Sequence, residues 1–367
     1  SGSNNQKTSD NRLRMYMTSN GNIGGVTAYN STTGAVNTCV SGNWFIENKS
    51  NAIGVGTGGI IGMNESEQNM NYLVNGAFVG RYISSGDTNR FAGGIIGNQN
   101  NSTTSDWTLA KCINYGSVYC YNSHYSGGIM GQWTGTGGTI EQCRNYGMLQ
   151  TTYGTAWVGA SAGIVAQLYH ANEGNEYNII SCGNYGSIYT KQGANWDNEQ
   201  GANDSAGILG NITTYYSNSM ANAQKFTVQI LDCVNAPGVE IYSGSMASGI
   251  FGFLSSDNPG GDTIKNSTSK VTIRIERCRN FAKVLKGYRY YAGIFGDRYG
   301  YSDASENAWK DYTIVKDNFS LNLGSAYYWG SESKDAGYPV YSKGNWSGGM
   351  NVSSMSSENR ARNYHIE

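Results

Sequence analysis

Two short phrases alternate along this chain, and their regular recurrence limits its fold more than any other feature. One reads Cys-Ile-Asn-Tyr-Gly-Ser-Val at 112–118, and the other reads Ser-Gly-Gly-Ile-Met-Gly at 126–131. The second glycine of the latter phrase recurs at Gly25, Gly59, Gly94, Gly128, Gly163, Gly207, Gly249 and Gly293. These copies are 34, 35, 34, 35, 44, 42 and 44 residues apart. A near-constant period in this range is typical of a solenoid or a propeller.

The two phrases predict short β-strands that stack from one repeat to the next. In the first phrase, alternate positions carry an apolar residue, Asn, a turn residue and an apolar residue, which is strand periodicity. Because one repeat cannot bury its apolar face alone, we expect equivalent residues of successive repeats to lie about 4.8 Å apart. The expected interior columns are Cys112, Cys143, Cys182, Cys233 and Cys278, and Asn114, Asn145, Asn184, Asn235 and Asn280.

Six of the seven cysteines occupy one position of the repeat, and only Cys120 stands apart. The close spacing of a metal cage, such as Cys-x-x-Cys, does not occur. Cysteines on neighbouring rungs would have Cβ atoms about 4.8 Å apart, whereas a disulfide prefers about 3.8 Å. We therefore predict buried free thiols.

The repeat predicts an all-β fold, a right-handed parallel β-helix (solenoid) of about eight rungs with long loops. A seven- or eight-bladed β-propeller is the alternative, although a period of 34 residues barely accommodates the four strands of a blade. We interpret residues 1–367 as a single repeat domain, with an N-terminal cap at 1–20, repeats at 21–330 and a C-terminal cap at 331–367.

The charge balance and the hydropathy pattern exclude two classes of partner. The chain has 25 Lys and Arg against 26 Asp and Glu, so it lacks the basic excess of a nucleic-acid-binding protein. The sequence contains no run of eighteen apolar residues, so we expect no membrane insertion of this part of the chain. Residues 1–10 lack the order of a secretory signal, and we expect the chain to come from a longer precursor found outside the cell or at its surface.

No combination of residues predicts a catalytic site or a resident cofactor. The acidic residues Asp197, Glu199 and Asp204 fall in one expected loop, and Asp257 and Asp262 in another. Their oxygens could bind calcium, but neither set has the spacing of an EF-hand. We predict solvated acidic loops without a metal, with calcium as the alternative.

Aromatic residues are the best candidates for ligand contacts. Trp133, Trp157 and Trp196 lie in consecutive repeats, and Tyr153 and Tyr189 follow the first phrase at similar offsets. Exposed aromatic rings serve as rigid anchors for sugars and for proteins. The alternative is that these rings line the strands of a glycine-rich core.

The phrases at Cys112–Val118, Cys143–Leu149 and Cys182–Ile188, with those at Gly93–Gly97, Ala206–Gly210 and Ala292–Gly296, resemble GLUG-type repeats. Such repeats occur in large exported bacterial proteins described as adhesins or found beside protease and glycan-binding modules. The resemblance covers roughly residues 20 to 330. It is weaker at 233 and 278, where Ala236-Pro237 and Phe281-Ala282 replace Tyr-Gly.

Together the repeat and the resemblance predict a non-enzymatic exported adhesin or binding module that presents loops and aromatic residues to a glycan or a host surface protein. One alternative is a polysaccharide lyase or glycoside hydrolase on a β-helix scaffold. Another is a passive stalk module.

Overall fold

The computed structural model describes residues 4–7, 13–17, 21–31, 36–50, 54–82, 91–101, 107–121, 125–153, 158–192, 202–215, 224–244, 246–256, 270–287, 290–298, 313–321, 326–327 and 364–366. Within these ranges the chain consists of β-strands joined by turns and loops, and it contains no helix. The strands form five sheets, which we number in the order in which each repeat passes through them.

Each sheet takes its strands from successive repeats. Sheet 1 consists of Met70–Asn71, Thr108–Ala110, Gly138–Glu141, Glu176–Ile180, Thr227–Leu231, Thr272–Glu276 and Thr313–Lys316. Sheet 2 consists of Val40–Ser41, Val74–Asn75, Ile113–Asn114, Arg144–Asn145, Gly183–Asn184, Val234–Asn235, Arg279–Asn280, Phe319–Leu321 and Tyr364–Ile366. Sheet 3 consists of Asn4–Lys7, Leu13–Met17, Phe45–Asn48, Phe78–Tyr82, Val118–Tyr121, Leu149–Tyr153, Ile188–Gln192, Glu240–Ser243, Val284–Gly287 and Ala326–Tyr327.

The two remaining sheets flank the second phrase of the repeat. Sheet 4 consists of Ile23–Gly24, Gly56–Gly58, Phe91–Gly93, Tyr125–Gly127, Val158–Ala162, Ala202–Ala206, Met246–Ser248 and Tyr290–Ala292. Sheet 5 consists of Thr27–Asn30, Ile61–Asn64, Ile96–Asn101, Met130–Gly135, Val165–Ala171, Leu209–Thr214, Phe251–Ser256 and Phe295–Arg298.

Equivalent strands of neighbouring repeats pair in parallel and in register. In sheet 2, for example, Asn75 lies opposite Asn114, and Asn114 lies opposite Asn145. A propeller keeps the strands of one repeat together in one blade. Because each sheet here draws one strand from each repeat, the propeller alternative does not describe this chain. The architecture is all-β, with parallel strands stacked in rungs as in a β-helix or solenoid.

Sheet 4 lies between sheet 3 and sheet 5. On one side, the hydroxyl group of Ser126 shares hydrogen bonds with those of Thr151 in sheet 3 and Ser161 in the next rung. On the other side, a Cβ atom at Gly131 of sheet 5 would lie 2.7 Å from the carbonyl oxygen of Ala92 in sheet 4. Glycine is therefore needed in sheet 5, because the backbones of these two sheets approach too closely for a side chain.

The hydrophobic core has two main parts. The larger part contains Leu109 of sheet 1, Met130 of sheet 5, Ile129 of the turn between sheets 4 and 5, and Cys112. The smaller part contains Val118 and other residues of sheet 3, packed against small residues of sheet 4. Sheet 2 closes one end of the cross-section, and the turn after sheet 4 points at its inner face. A Cβ atom at Gly128 in this turn would lie only 2.3 Å from Cγ of Asn145.

A column of non-glycine residues forms the corner between sheets 1 and 2. Its members have φ angles of 52° to 58°, in the left-handed region that disfavours residues with a side chain. They are Thr38, Tyr72, Lys111, Gln142, Ser181, Asp232, Arg277 and Asp317. We call this set the corner column. It turns the chain so that the next residue, usually Cys, points into the core.

Both regions expected to act as caps contain strands that extend the sheets. Asn4–Lys7 pairs antiparallel with Leu13–Met17, which in turn pairs in parallel with Phe45–Asn48 of sheet 3. Near the other end of the chain, Tyr364–Ile366 pairs in parallel with Phe319–Leu321 of sheet 2.

Candidate binding surface

The cysteine column lies in the core. All seven cysteines are free; Cys39 is half-buried and the other six are buried. In Cys143, for example, the thiol sulfur lies 3.4 Å from the carbonyl oxygen of Glu141 and 3.5 Å from that of Leu109. Burial raises the pKa of the Cys143 and Cys233 thiols, so they stay protonated and unreactive. These cysteines contribute to packing.

The asparagine column is a continuous chain of side-chain hydrogen bonds. The amide nitrogen of Asn114 donates to the amide oxygen of Asn145 at 2.8 Å, and Asn145 donates to Asn184 at 2.9 Å. The same bond joins each successive pair from Asn75 to Asn280. Serine stands at both ends, because Ser41 donates to Asn75 and Ser320 accepts from Asn280. The chain of bonds satisfies amides that are fully buried.

The proposal that Trp133 contacts a ligand is wrong, because its side chain is 1% exposed. Its ring makes edge-to-face contacts with Trp107 and Tyr177, with centroids 4.9 and 5.2 Å away, and its indole nitrogen donates to the carbonyl oxygen of Thr136 at 3.1 Å. Phe226 continues this interior column of rings. For Trp133, the alternative that aromatic residues line the core is correct.

Tyr189 lies on the outer face of sheet 3, where it is half-buried. Its ring stacks on that of Tyr242 in the next rung, with centroids 5.4 Å apart, and its hydroxyl group donates to Glu240 at 3.2 Å. Burial raises the pKa of Tyr189. The ring is thus engaged within the sheet, with only part of its surface open to a ligand.

Several other candidates lie outside the described residues. They are Trp157, Trp196, Asp197, Glu199, Asp257, Asp262 and the side chain of Tyr153. Asp204 is described, and it is not in a loop: it belongs to the strand Ala202–Ala206 and is 5% exposed. Its Cβ atom faces Gly252 of sheet 5, so its placement in a solvated acidic loop is wrong.

The outer face of sheet 2 carries three tyrosines that the candidate set did not include. Tyr115, Tyr146 and Tyr185 are 57%, 45% and 40% exposed, and we call them the tyrosine strip. Their ring centroids are 5.2 and 4.7 Å apart, with interplanar angles of 16° and 18°. Nearly parallel rings at these distances are offset stacks. Each tyrosine nevertheless keeps a large part of its surface open to solvent.

The local sequence places these rings outward. Each tyrosine follows the inward-pointing Asn of its rung, and a Gly comes next. A Cβ atom at Gly183 would lie 2.8 Å from Cε2 of Tyr185, so the ring of Tyr185 lies over this glycine. Strand alternation after the asparagine was the available signal, because a residue that follows a buried one faces outward.

The strip belongs to a larger exposed apolar surface. Six of the ten exposed large apolar side chains in the described part of the chain lie on or beside sheet 2: Val40, Tyr72, Tyr115, Tyr146, Met148 and Tyr185. Beside them, the ammonium group of Lys111 lies 5.3 Å from the ring centroid of Tyr72 and 3.2 Å from its hydroxyl group. Contiguous exposed apolar patches commonly mark interaction sites.

A separate aromatic group ends a strand of sheet 5. The imidazole ring of His170 stacks between the rings of Tyr169 and Tyr215, with centroids 3.6 and 3.7 Å away. The register of this strand shifts there, and His170 has a φ angle of 50°. His170 therefore sits at a β-bulge, where its ring is held by packing.

Among the described residues, no group of three or more His, Cys, Asp or Glu side chains is placed to hold a metal ion. The same residues include no helix of the length and hydropathy needed to cross a membrane. Comparison of the chain with protein families, with curated proteins and with solved structures finds no match.

Proposed function

We propose that this chain is a non-enzymatic binding module of an exported cell-surface protein, and that the tyrosine strip binds a glycan. The observation that carries the proposal is the offset stack of Tyr115, Tyr146 and Tyr185 on an outer face. Buried aromatic residues stabilise a solenoid, but these three rings are about half exposed, so the fold gains less from them than an interior residue would give.

The geometry of the strip suits an extended chain of rings better than a globular protein. The strip is one ring wide and runs along the stack with a spacing near that of the rungs. A sugar chain laid along it would meet an open aromatic surface at each step. A protein interface, in contrast, usually centres on an aromatic anchor enclosed in a pocket.

The handedness of the solenoid and its number of rungs are part of the same proposal. Connections between parallel strands of one sheet are right-handed in about 98% of cases. We therefore infer a right-handed parallel β-helix of about eight rungs, with the glycan lying parallel to its axis.

A lyase or hydrolase is the second candidate, and one cluster of charges bears on it. Asp232 and Glu276 both contact Arg277, at 2.8 and 3.2 Å. However, both oxygens of Asp232 accept from Arg277, which lowers the pKa of Asp232. A general acid needs a pKa raised toward neutrality. The arrangement therefore favours a structural ion pair.

The direct test is a glycan array probed with the wild-type chain and with Tyr146→Ala, the middle residue of the strip. Truncating a central aromatic anchor should weaken binding at least about tenfold. Tyr29→Ala is the matched control, because Tyr29 is 49% exposed but belongs to sheet 5. Circular dichroism establishes that each variant is folded.

Equal binding by Tyr146→Ala and Tyr29→Ala would remove the strip from the proposal. Silence across the glycan array, together with binding to matrix proteins, would replace the glycan by a protein partner. Absence of binding to both glycans and matrix proteins would favour the alternative of a passive stalk module.

A further inference from the structure

Resting on the proposed function, we propose that the glycan bound by the tyrosine strip is anionic, with carboxylate or sulfate groups that pair with arginines of the same face. The face comprises the outer residues of sheet 2, the corner column and the row that contains the strip. Its described residues include four cations, Lys111, Arg144, Arg277 and Arg279, against two carboxylates, Asp232 and Asp317. The whole chain has a net charge of −1, so this positive excess is local.

Arg144 lies beside the tyrosine strip, two residues before Tyr146. Its Nη1 atom donates to the carbonyl oxygens of Cys143 and Ser181, at 3.0 and 2.5 Å, and these bonds fix the side chain on the sheet. Its Cδ atom lies 3.1 Å from the point where a Cβ atom of Gly183 would be, which the ring of Tyr185 also covers. A guanidinium group is therefore held beside the aromatic rings. An anionic group on a sugar stacked there would meet a positive charge.

Arg279 occupies the position equivalent to Arg144 in a later rung, beyond the end of the tyrosine strip. Strand pairing aligns Arg144, Gly183, Val234 and Arg279 on successive rungs. Two rungs separate Gly183 from Arg279, which corresponds to about 10 Å. The side chain of Arg279 is exposed, and within the described part of the chain it makes no hydrogen bond or ion pair. Its charge is thus available to a ligand that leaves the strip at Tyr185.

The neighbouring carboxylate of Asp232 is bound mainly by Arg277, and the charge of Arg279 acts on it only at longer range. Both oxygens of Asp232 accept from Arg277, at 2.8 Å each, so that this pair is satisfied within itself. Guanidinium groups form strong paired hydrogen bonds with carboxylate and sulfate-like oxygens. Stacking along the rings and ion pairing at both arginines therefore favour the same ligand, a polymer with a regular negative charge.

The experiment compares polymers that share a backbone but differ in charge. Polygalacturonate and its methyl ester test the carboxylate, and dextran sulfate and dextran test the sulfate. Affinity electrophoresis at low and high salt gives the binding strength of each. The proteins are the wild-type chain, Tyr146→Ala, Arg279→Gln and the control Lys225→Gln, which removes an exposed cation from the connection between sheets 5 and 1.

We expect at least one charged polymer to bind more tightly than its neutral partner, with the preference falling as salt screens the charges. Arg279→Gln should weaken that binding about three- to fivefold, while Lys225→Gln should leave it unchanged. Which pair shows the preference distinguishes carboxylate from sulfate.

Two outcomes overturn the proposal, and they are distinguishable. Equal binding of charged and neutral polymers that still depends on Tyr146 refutes the anionic ligand but keeps the glycan. Binding by no polymer, or charged binding that Lys225→Gln weakens as much as Arg279→Gln, also refutes it. Failure of the proposed function has a separate readout, which is equal binding of Tyr146→Ala and Tyr29→Ala on the glycan array.

Discussion

The outer face of sheet 2 differs between its two halves, although the interior behind both is the same. In the rungs of Tyr115, Tyr146 and Tyr185 the face is aromatic. In the later rungs the tyrosine positions become Ala236 and Phe281, and charged residues dominate the corner column. Behind both halves run the same hydrogen-bonded asparagines and buried cysteines.

The difference separates what the fold requires from what it permits. Asparagine, cysteine and glycine are repeated because each touches its own equivalents on neighbouring rungs, where a change would leave a clash or an unpaired amide. Most outer positions contact solvent, and they carry dissimilar residues in different rungs. A run of three tyrosines at such positions adds ring stacking that the interior does not require, and it is the reason why we propose a binding role for the face.

The strongest test of whether the two halves share the same interior is to introduce a methyl group at the tight turn in each half. A Cβ atom at Gly128 would lie 2.2 Å from the carbonyl oxygen of Gly163, and one at Gly249 would lie 2.1 Å from that of Gly293. We expect Gly128→Ala and Gly249→Ala each to lower the free energy of unfolding by about 3 kcal/mol or more. Urea denaturation measures this.

Gly174→Ala is the control for the glycine substitutions, because Gly174 has open space around it and a φ angle of 81°. It should cost only about 1 kcal/mol, from backbone strain. A small loss in one half but not in the other would show that the two interiors are not equivalent.

The next effect concerns the asparagine column. Asn145→Ala and Asn235→Ala each remove a side chain that both accepts and donates a bond of 2.8 to 2.9 Å. We expect each to cost about 2 to 3 kcal/mol, because the buried amides on either side lose their partners. Ser41→Ala, at the end of the column, removes one such bond and should cost about half as much. Unequal losses for the two asparagines would contradict the shared interior.

The outer face should respond less, and differently in each half. Tyr146→Ser removes two ring stacks and should cost about 1 to 2 kcal/mol at any salt concentration. Arg277→Ser removes an exposed pair with Asp232 and should cost less than about 1 kcal/mol, with the loss shrinking in high salt. Thermal unfolding at low and high salt compares them. If the loss of stability in Tyr146→Ser and Arg277→Ser depended equally on salt, the two halves of the outer face would not differ as described.

The smallest effect is the pH dependence of the Asp232–Arg277 pair. Hydrogen bonds with Arg277 hold the pKa of Asp232 below its ordinary value. Such a group stabilises the fold above its unfolded pKa, and this contribution disappears as the pH falls through the folded value. Because the pair is exposed, we expect well below about 1 kcal/mol. An NMR titration of Asp232 should show its pKa rise in Arg277→Ala; an unchanged pKa would mean that the pair does not form in solution.

Much of the interior could be predicted from the sequence because it repeats. The period predicted stacked strands, and the position of Asn and Cys in each phrase predicted columns facing inward. The corner column could not be found in the same way: it contains Thr38, Lys111, Asp232 and other dissimilar residues, where glycine would have been the usual sign of a positive φ angle. Its conformation is imposed by the stacked sheets on both sides.

The candidate surface was harder to predict because an aromatic residue gives no sign of which way it faces. Tyr146 lies in the first phrase and Trp133 two residues after the second, yet Trp133 fills the core beside Trp107 whereas Tyr146 is exposed. For Tyr146, alternation from the preceding Asn would have indicated the outside. For Trp133, packing against Trp107 and Tyr177 decides the matter, and these contacts form only in the assembled layers.

The asparagine column has a direction, since each amide donates toward the C-terminal neighbour and accepts from the N-terminal one from Asn75 to Asn280. Every internal copy thus brings one amide donor for the next copy and one amide acceptor for the previous copy. Duplication or loss of a whole copy would rejoin the chain of bonds without a fault, so proteins of this design can lengthen or shorten their reach in evolution by simple genetic steps.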